Sequence, residues 1–191
     1  MNCATRIQVD LPGWVLDEAE RAGRMGSVEE RMHLVNVLAG RNFREGSGGP
    51  FAAAVFDLES GELVSAGVNL VLSSQLSSMH AEVVALSLAQ TRLASWDLST
   101  RPHQLVVNWR PCAMCYGASI WSGVRDLVIA GAGAVVEQIT GFNEGPMRED
   151  WREQAEARGM SVTEGIGYDD AIAVFQDYAD SGAEVYNPRR G

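Results

Sequence analysis

The sequence contains no lysine. All fifteen of its basic residues are arginine, against twenty-five acidic residues, for a formal net charge of −10. Missing lysine on its own reads as composition bias. The acidic balance says more, because nucleic-acid binding draws most of its affinity from basic side chains meeting phosphates. A chain this acidic would need a segregated basic patch, and the nearest candidate is the short "NPRRG" at 187–191. A nucleic-acid partner is therefore disfavoured, while small uncharged substrates stay open. Three scattered cysteines do not make a disulfide framework. No apolar run reaches the roughly 18 residues of a membrane span. The opening "MNCATRIQVDLPGW" has no basic region followed by an apolar stretch, so no signal peptide is expected. Together these point to the cytoplasm. At 191 residues, 46% hydrophobic and 21% charged, the chain is expected to form one domain with a sizeable core.

Periodicity organises the rest. In "VEERMHLVNVLAGRNF", Met32, Leu34, Val35, Val37 and Leu38 give one apolar face, and Ser27 with Glu30 forms a capping-box pattern, so a helix is expected over about 28–44. Residues 1–25 are read as an extension with no element. "PFAAAVFD" and "LVSAGVNLV", separated by "ESGE", read as a hairpin. A helix from about Met79 through "HAEVVALSLAQTRLA", a buried strand in "HQLVVNW", a short helix in "CAMCYGASIWSG" closed by Gly123, and a strand in "DLVIAG" follow. Residues 132–150 look irregular. Then come a short helix "WREQAEARG", a strand "MSVTEGI", an amphipathic helix "YDDAIAVFQDYADSG" and a tail over 183–191. A hairpin followed by alternating helices and strands argues for an α/β fold, with helices packed on a mixed, partly parallel sheet.

The chemistry concentrates in "NWRPCAMCYGASIW", residues 108–121. Cys112 and Cys115 are spaced to share a helix face, and Pro111 suits a helix entry. A helix N-terminus favours thiolates. A lone CxxC is weak, being compatible with a disulfide, a redox pair or half of a structural metal site. Two thiolates leave a zinc site incomplete, since zinc takes four ligands and a catalytic site keeps one position for water. Of the three histidines, His33 reads as helix surface and His103 as part of a polar loop after Pro102. His80 differs: it begins a helix and is followed by Glu82 in "HAE". "HAE" with "PCAMC" matches the zinc-deaminase signature. In that pattern His80, Cys112 and Cys115 bind Zn2+. Glu82 is not a ligand and carries protons as general base and acid, while water replaces an exocyclic ring amine as ammonia.

On these residues the chain resembles the cytidine deaminase superfamily from about Arg31 onward. The resemblance implies a three-layer α/β/α sandwich with a five-stranded mixed sheet, a zinc cofactor and a homodimer or larger assembly. "GGPFAAAVFD", "NLVLSSQLSSMHAE", "PCAMCYGASIWSGV" and "GFNEGP" are similar to bacterial guanine deaminases. That similarity implies a purine pocket formed by Phe51, Asn69, Trp121 and Phe142, with Ala81 and Arg110 also contacting the substrate. It also implies a second proton-transferring acid, Glu144, on a closing loop hinged by Gly141 and Gly145, and a C-terminal segment with Tyr186 closing over a site, its own or a partner's. The implied reaction is deamination of guanine to xanthine. Cytosine, an amino-s-triazine such as ammeline, and a nucleoside such as guanosine remain alternatives. A tRNA adenosine deaminase is disfavoured by the charge. Two departures stand out: Trp109-Arg110 where the family usually has Glu before Pro-Cys, and Asn143 where relatives often carry Asp.

Overall fold

The structure, a computed structural model, describes residues 3–187. The order of elements is α1 (Gly13–Ala22), α2 (Val28–Arg44), β1 (Ala52–Asp57), β2 (Leu63–Val68), α3 (Val71–Ser74), α4 (Ala81–Leu93), β3 (His103–Val107), α5 (Ala113–Ser122), β4 (Asp126–Ile129), α6 (Val135–Thr140), α7 (Trp151–Glu156), β5 (Ser161–Glu164) and α8 (Tyr168–Asp180). The five strands form one mixed sheet in the order β2-β1-β3-β4-β5. β1 pairs antiparallel with β2 and with β3, whereas β3, β4 and β5 run parallel.

The apolar runs of β1 and β3 are explained by burial on both faces. Ala52, Ala54, Phe56 and Val106 face one core with Met32, Val35, Leu38 and Phe175 of α2 and α8. Ala53, Val55, Leu105 and Val107 face the other, with Ala85, Leu86 and Ala89 of α4. Alternation along a strand sends neighbours to opposite faces, and a sheet covered on both sides needs apolar residues at every position. The result is a three-layer α/β/α sandwich.

Helix α2 occupies 28–44, as its periodicity indicates. Its capping box is complete: Glu30 N donates to Ser27 Oγ at 3.1 Å and Ser27 N to Glu30 Oε2 at 3.0 Å. Three expectations need correction. The segment before residue 25 contains α1, which buries Val15 in the core and sets Glu18 2.6 Å from Arg41 of α2. It is short and only one of its residues is buried. Residues 132–150 include the short helix α6. His103 is not in a surface loop. It opens β3, is 1% exposed, and its Nδ1 lies 2.9 Å from the Leu98 carbonyl oxygen. Arg189 and Arg190, in the short basic stretch, lie outside the described residues.

The two crossing units point every strand-to-helix turn of interest the same way. The carboxyl ends of β2, β3 and β4 and the start of β1 share one edge of the sheet, the usual place for a site in open α/β folds. Asn69 N donates to the Phe51 carbonyl across that edge at 3.0 Å. Asn108 fixes it from the next strand, accepting from Ala52 N at 3.1 Å and donating to the Pro50 carbonyl at 2.9 Å.

Helix α4 reaches this edge because β2 carries Gly67. A Cβ there would lie 2.5 Å from both the Ala81 carbonyl oxygen and the Ala85 nitrogen, so the helix backbone rests directly on the strand. Gly67→Ala is expected to lift the first turn of α4 off β2. The overpacking cost is on the order of 2 kcal/mol, read as a fall in Tm of about 4–8 °C. An unchanged Tm by calorimetry would contradict this account of the helix seat.

Candidate metal and substrate site

Two helix N-termini meet at the sheet edge. His80 is the N-cap of α4 and Cys112 the N-cap of α5, with Cys115 in the first turn of α5. Their ligand atoms all lie within 4.8 Å of one another. Cys112 Sγ is 3.6 Å from His80 Nδ1. Cys112 and Cys115 are buried free thiols, not a disulfide.

The electrostatics of the three groups suit a cation. A hydrogen bond from Cys115, and then the approach of His80, pull the Cys112 thiol down to about 4 against the effect of burial. The same hydrogen bond, with burial, pushes the Cys115 thiol well up. Burial pulls the His80 pKa down, but the bond to Cys112 and the charges of Glu82, Cys112 and Glu144 outweigh it and hold the imidazole above its ordinary value. One imidazole and two thiols at this spacing, at two positive helix ends, fit the nitrogen and sulfur donors that zinc prefers. Three protein ligands leave a fourth position for chemistry.

Two acids stand over this cluster. Glu82, in the first turn of α4, is 6% exposed. Burial, and then the charge of Cys112, push its carboxyl above the ordinary range. Glu144 lies on the loop after α6. Burial first, and then the charges of Cys112 and Glu82, push it up to about 8. That loop is tied at both ends of the residue: Glu144 N donates to Glu137 Oε1 at 3.1 Å, and the Glu144 carbonyl accepts from Ala113 N at 3.2 Å. Sequence reasoning passed over Glu137, a helical acid with no local signal of its task. The flanking Gly141 and Gly145 have φ of +78° and +74°, which suits glycine.

Both acids open onto one cavity of about 660 Å³, lined also by Phe51, Asn69, Arg110, Phe142 and Tyr186. The aromatic wall is continuous. Phe142 lies 5.3 Å from Phe51, 5.6 Å from Tyr178 and 4.9 Å from Tyr186, centroid to centroid. Asn69 is 1% exposed. Its Oδ1 accepts from Gly49 N at 3.4 Å and Val71 N at 3.2 Å, while Nδ2 has no partner among the described residues. Behind it, Asn42 on α2 donates to the carbonyls of Gly49 and Asn69 at 2.9 and 2.8 Å. Asn42 was also missed; a wholly buried asparagine on an apolar helix face was the available signal.

The tail of the same chain covers the cavity. Asn187 Nδ2 donates to the Gly141 carbonyl at 2.7 Å, and Asn143 N donates to Asn187 Oδ1 at 3.0 Å. Tyr186 brings its hydroxyl over Gly49, where a Cβ would sit only 2.6 Å from the oxygen.

Two residues expected beside the substrate lie elsewhere. Trp121 is 85% exposed and does not line the cavity. It follows Cys115 by six residues, a rotation of about 240° around the helix, so it faces outward. Ala81 is wholly buried in the core beneath α4 and does not form the cavity wall. Trp109 is 1% exposed and packs 5.5 Å from Phe175 and 5.8 Å from Tyr168.

Comparisons with known proteins agree with the metal site. The family described as the cytidine and deoxycytidylate deaminase zinc-binding region has a model that matches residues 25–131. A solved guanine deaminase from Nitrosomonas europaea is 43% identical, with a TM-score of 0.85 over 94% of this chain and 98% of that one. A solved structure in complex with 2,6-diaminopurine is 41% identical, with a TM-score of 0.86 over 95% of this chain and 97% of that one. The curated guanine deaminase of Bacillus subtilis strain 168 is 34% identical over 86 residues, which is 45% of this chain and 53% of that protein. The chain thus spans about half the length of that curated relative.

The purified protein is expected to hold about one zinc per chain by elemental analysis. Cys112→Ser should lose it together with part of the folding stability, because metal binding at such a site is coupled to folding. Full metal content in the serine variant would remove Cys112 from the ligand set.

Proposed function

The chain belongs to the cytidine and deoxycytidylate deaminase zinc-binding family, and on that premise we propose that it is a hydrolytic deaminase of a free nucleobase, converting guanine to xanthine and ammonia. The observation that supports this most is the pair of buried acids, Glu82 and Glu144, on one aromatic-walled cavity with His80 and Cys112, whose ligand atoms cluster with that of Cys115. The likeness to guanine deaminases over nearly the whole chain supports the choice of ring.

His80, Cys112 and Cys115 would hold the zinc ion, which when bound would supply a nucleophile at neutral pH by lowering the pKa of a water to about 7. Glu82 takes a first proton from the attacking water and passes it to a ring nitrogen; the second proton, released as the new hydroxyl becomes a carbonyl, goes to the amine, which leaves as ammonia. In guanine the ring nitrogen N3 and the departing amine each gain a proton, while N1 keeps its own. Glu144, whose carboxyl burial pushes up to about 8, assists the second of these deliveries. Phe51 and Phe142 hold the ring, Asn69 reads its polar edge, and Tyr186 with the tail excludes water as the loop closes.

Other aminated rings share this chemistry. Cytosine, ammeline and guanosine form the comparison set, and a tRNA substrate is disfavoured by the net charge of −10. The chain acts as a single catalytic domain. We place it in the cytoplasm, where its buried free thiols stay reduced. Among the described residues, no helix is long and apolar enough to cross a membrane.

We also propose a homodimer. Trp121 and Met114 on α5 are 85% and 40% exposed, and Trp96 and Leu93 at the end of α4 are 80% and 40% exposed. Gly123 at the end of α5 abuts Asp97 and Ser99, so the two tryptophans flank one junction. An exposed apolar surface of this kind suits a second copy of the chain. Sedimentation should give a dimer at micromolar concentration that Trp121→Glu shifts toward monomer. A wild-type monomer would refute the assignment.

Ammonia release from guanine, cytosine, ammeline and guanosine tests the reaction. Glu82→Gln should keep zinc and lose turnover by several orders of magnitude. Glu144→Gln should keep zinc and lose guanine turnover strongly, with any cytosine turnover less affected. No guanine turnover by the wild type, or wild-type rates in either variant, would overturn the respective assignment.

A further inference from the structure

The cavity holds one fixed positive charge that the reaction just described does not use. Arg110 lines it, two residues before Cys112. Its position is set by the backbone, since Arg110 N donates to the Gly131 carbonyl at 2.8 Å. Its guanidinium makes no ion pair with any described residue, and its Nε is buried without a hydrogen-bond partner. Two more donors on the same cavity are unpartnered, Asn69 Nδ2 and the Tyr186 hydroxyl. A buried donor without an acceptor is costly, and more so when charged.

Neither nearby acid answers this need. Glu144 and Glu82 line the same cavity and the Arg110 charge acts on Glu144 through space, yet neither acid forms an ion pair or hydrogen bond with the guanidinium Nε. A planar guanidinium donates and never accepts. An acceptor brought by the ligand would complete the buried Nε–H. A ring carbonyl oxygen is such a group, whereas an exocyclic amine would turn its hydrogens toward a cation.

We propose that Arg110 is a specificity-determining residue that receives a carbonyl oxygen of the substrate, so that the site selects aminated rings bearing an oxo group over their diamino counterparts. The proposal rests on the deaminase reading but not on guanine. An oxo-bearing ring satisfies the arginine on binding and in reaction. A diamino ring leaves it unpaired and adds repulsion between donors, which is how a site built around a hydrogen bond rejects an analogue that cannot make it.

Two matched pairs of substrates test this: guanine with 2,6-diaminopurine, and cytosine with 2,4-diaminopyrimidine. Ammonia release gives kcat/KM for each on the wild type, Arg110→Met and Arg110→Gln, with zinc content and Tm checked for every protein. The wild type should prefer the oxo member of each pair it turns over by about 100-fold or more. Arg110→Met should lose about 10- to 100-fold on the oxo member and little on the diamino member, with zinc retained. Arg110→Gln, which keeps one donor, should lie between. Equilibrium binding of guanine and 2,6-diaminopurine to Glu82→Gln, with and without Arg110→Met, should show the same collapse of preference without turnover. Equal losses on both members, or an undiminished preference in zinc-loaded Arg110→Met and Arg110→Gln, would overturn the role of Arg110 while leaving guanine deamination intact. A preference seen only in the pyrimidine pair would overturn guanine and keep Arg110. No turnover of any of the four would refute both.

Discussion

Everything at the site depends on how closely helix α4 lies on strand β2. The Cβ-free surface of Gly67 lets the backbone of the first helical turn touch the strand, with Ala81 and Ala85 in the gap. Ala81 and Ala85 are themselves small and wholly buried. This contact brings the N-terminus of α4 down to the level where α5 begins. His80 then reaches Cys112 across 32 residues of sequence, at 3.6 Å. Two positive helix ends at one spot would repel each other if left bare. Negative charge on the cysteine sulfurs offsets that. Packing and electrostatics therefore specify the same geometry.

The parts of the site that were legible in the sequence are those whose chemistry is local. The ligand residues announce themselves because HxE and PCxxC each lie within one helix start, and the strand between them is a plain apolar run. Helix α2 was legible because nine of its residues are buried on a strong period with a complete cap. Helices α1 and α6 were not, since they are short and bury one and two residues. The cavity wall was half legible. Phe51, Asn69, Phe142 and Tyr186 were reached through resemblance, and they line the cavity. Trp121 shows the limit of that route, because an aromatic near the ligands in sequence sits on the far side of its helix. Asn42 and Glu137 act only through the backbone of other segments, so no motif marks them.

The tail and the loop after α6 form one cover. Asn187 bridges the backbone at both Gly141 and Asn143. The departure at position 143 costs nothing in this arrangement, since its amide oxygen caps Gly145 N at 2.9 Å as a carboxylate would. Closing the cavity thus engages residues about 44 apart in sequence through two hydrogen bonds. Each such bond contributes modestly to holding the cover in place.

The segment that carries Arg110 is anchored without help from its side chain. Asn108 ties the strand end to Ala52 and Pro50, Trp109 is sunk in the core, and the amide of residue 110 is bound to Gly131. What projects from position 110 can change while the cysteines that follow stay where they are. A lineage could therefore exchange one ring for another by single substitutions there, leaving the metal chemistry untouched. The fold separates the position that is free to drift from the positions that are not, although they are neighbours in the chain.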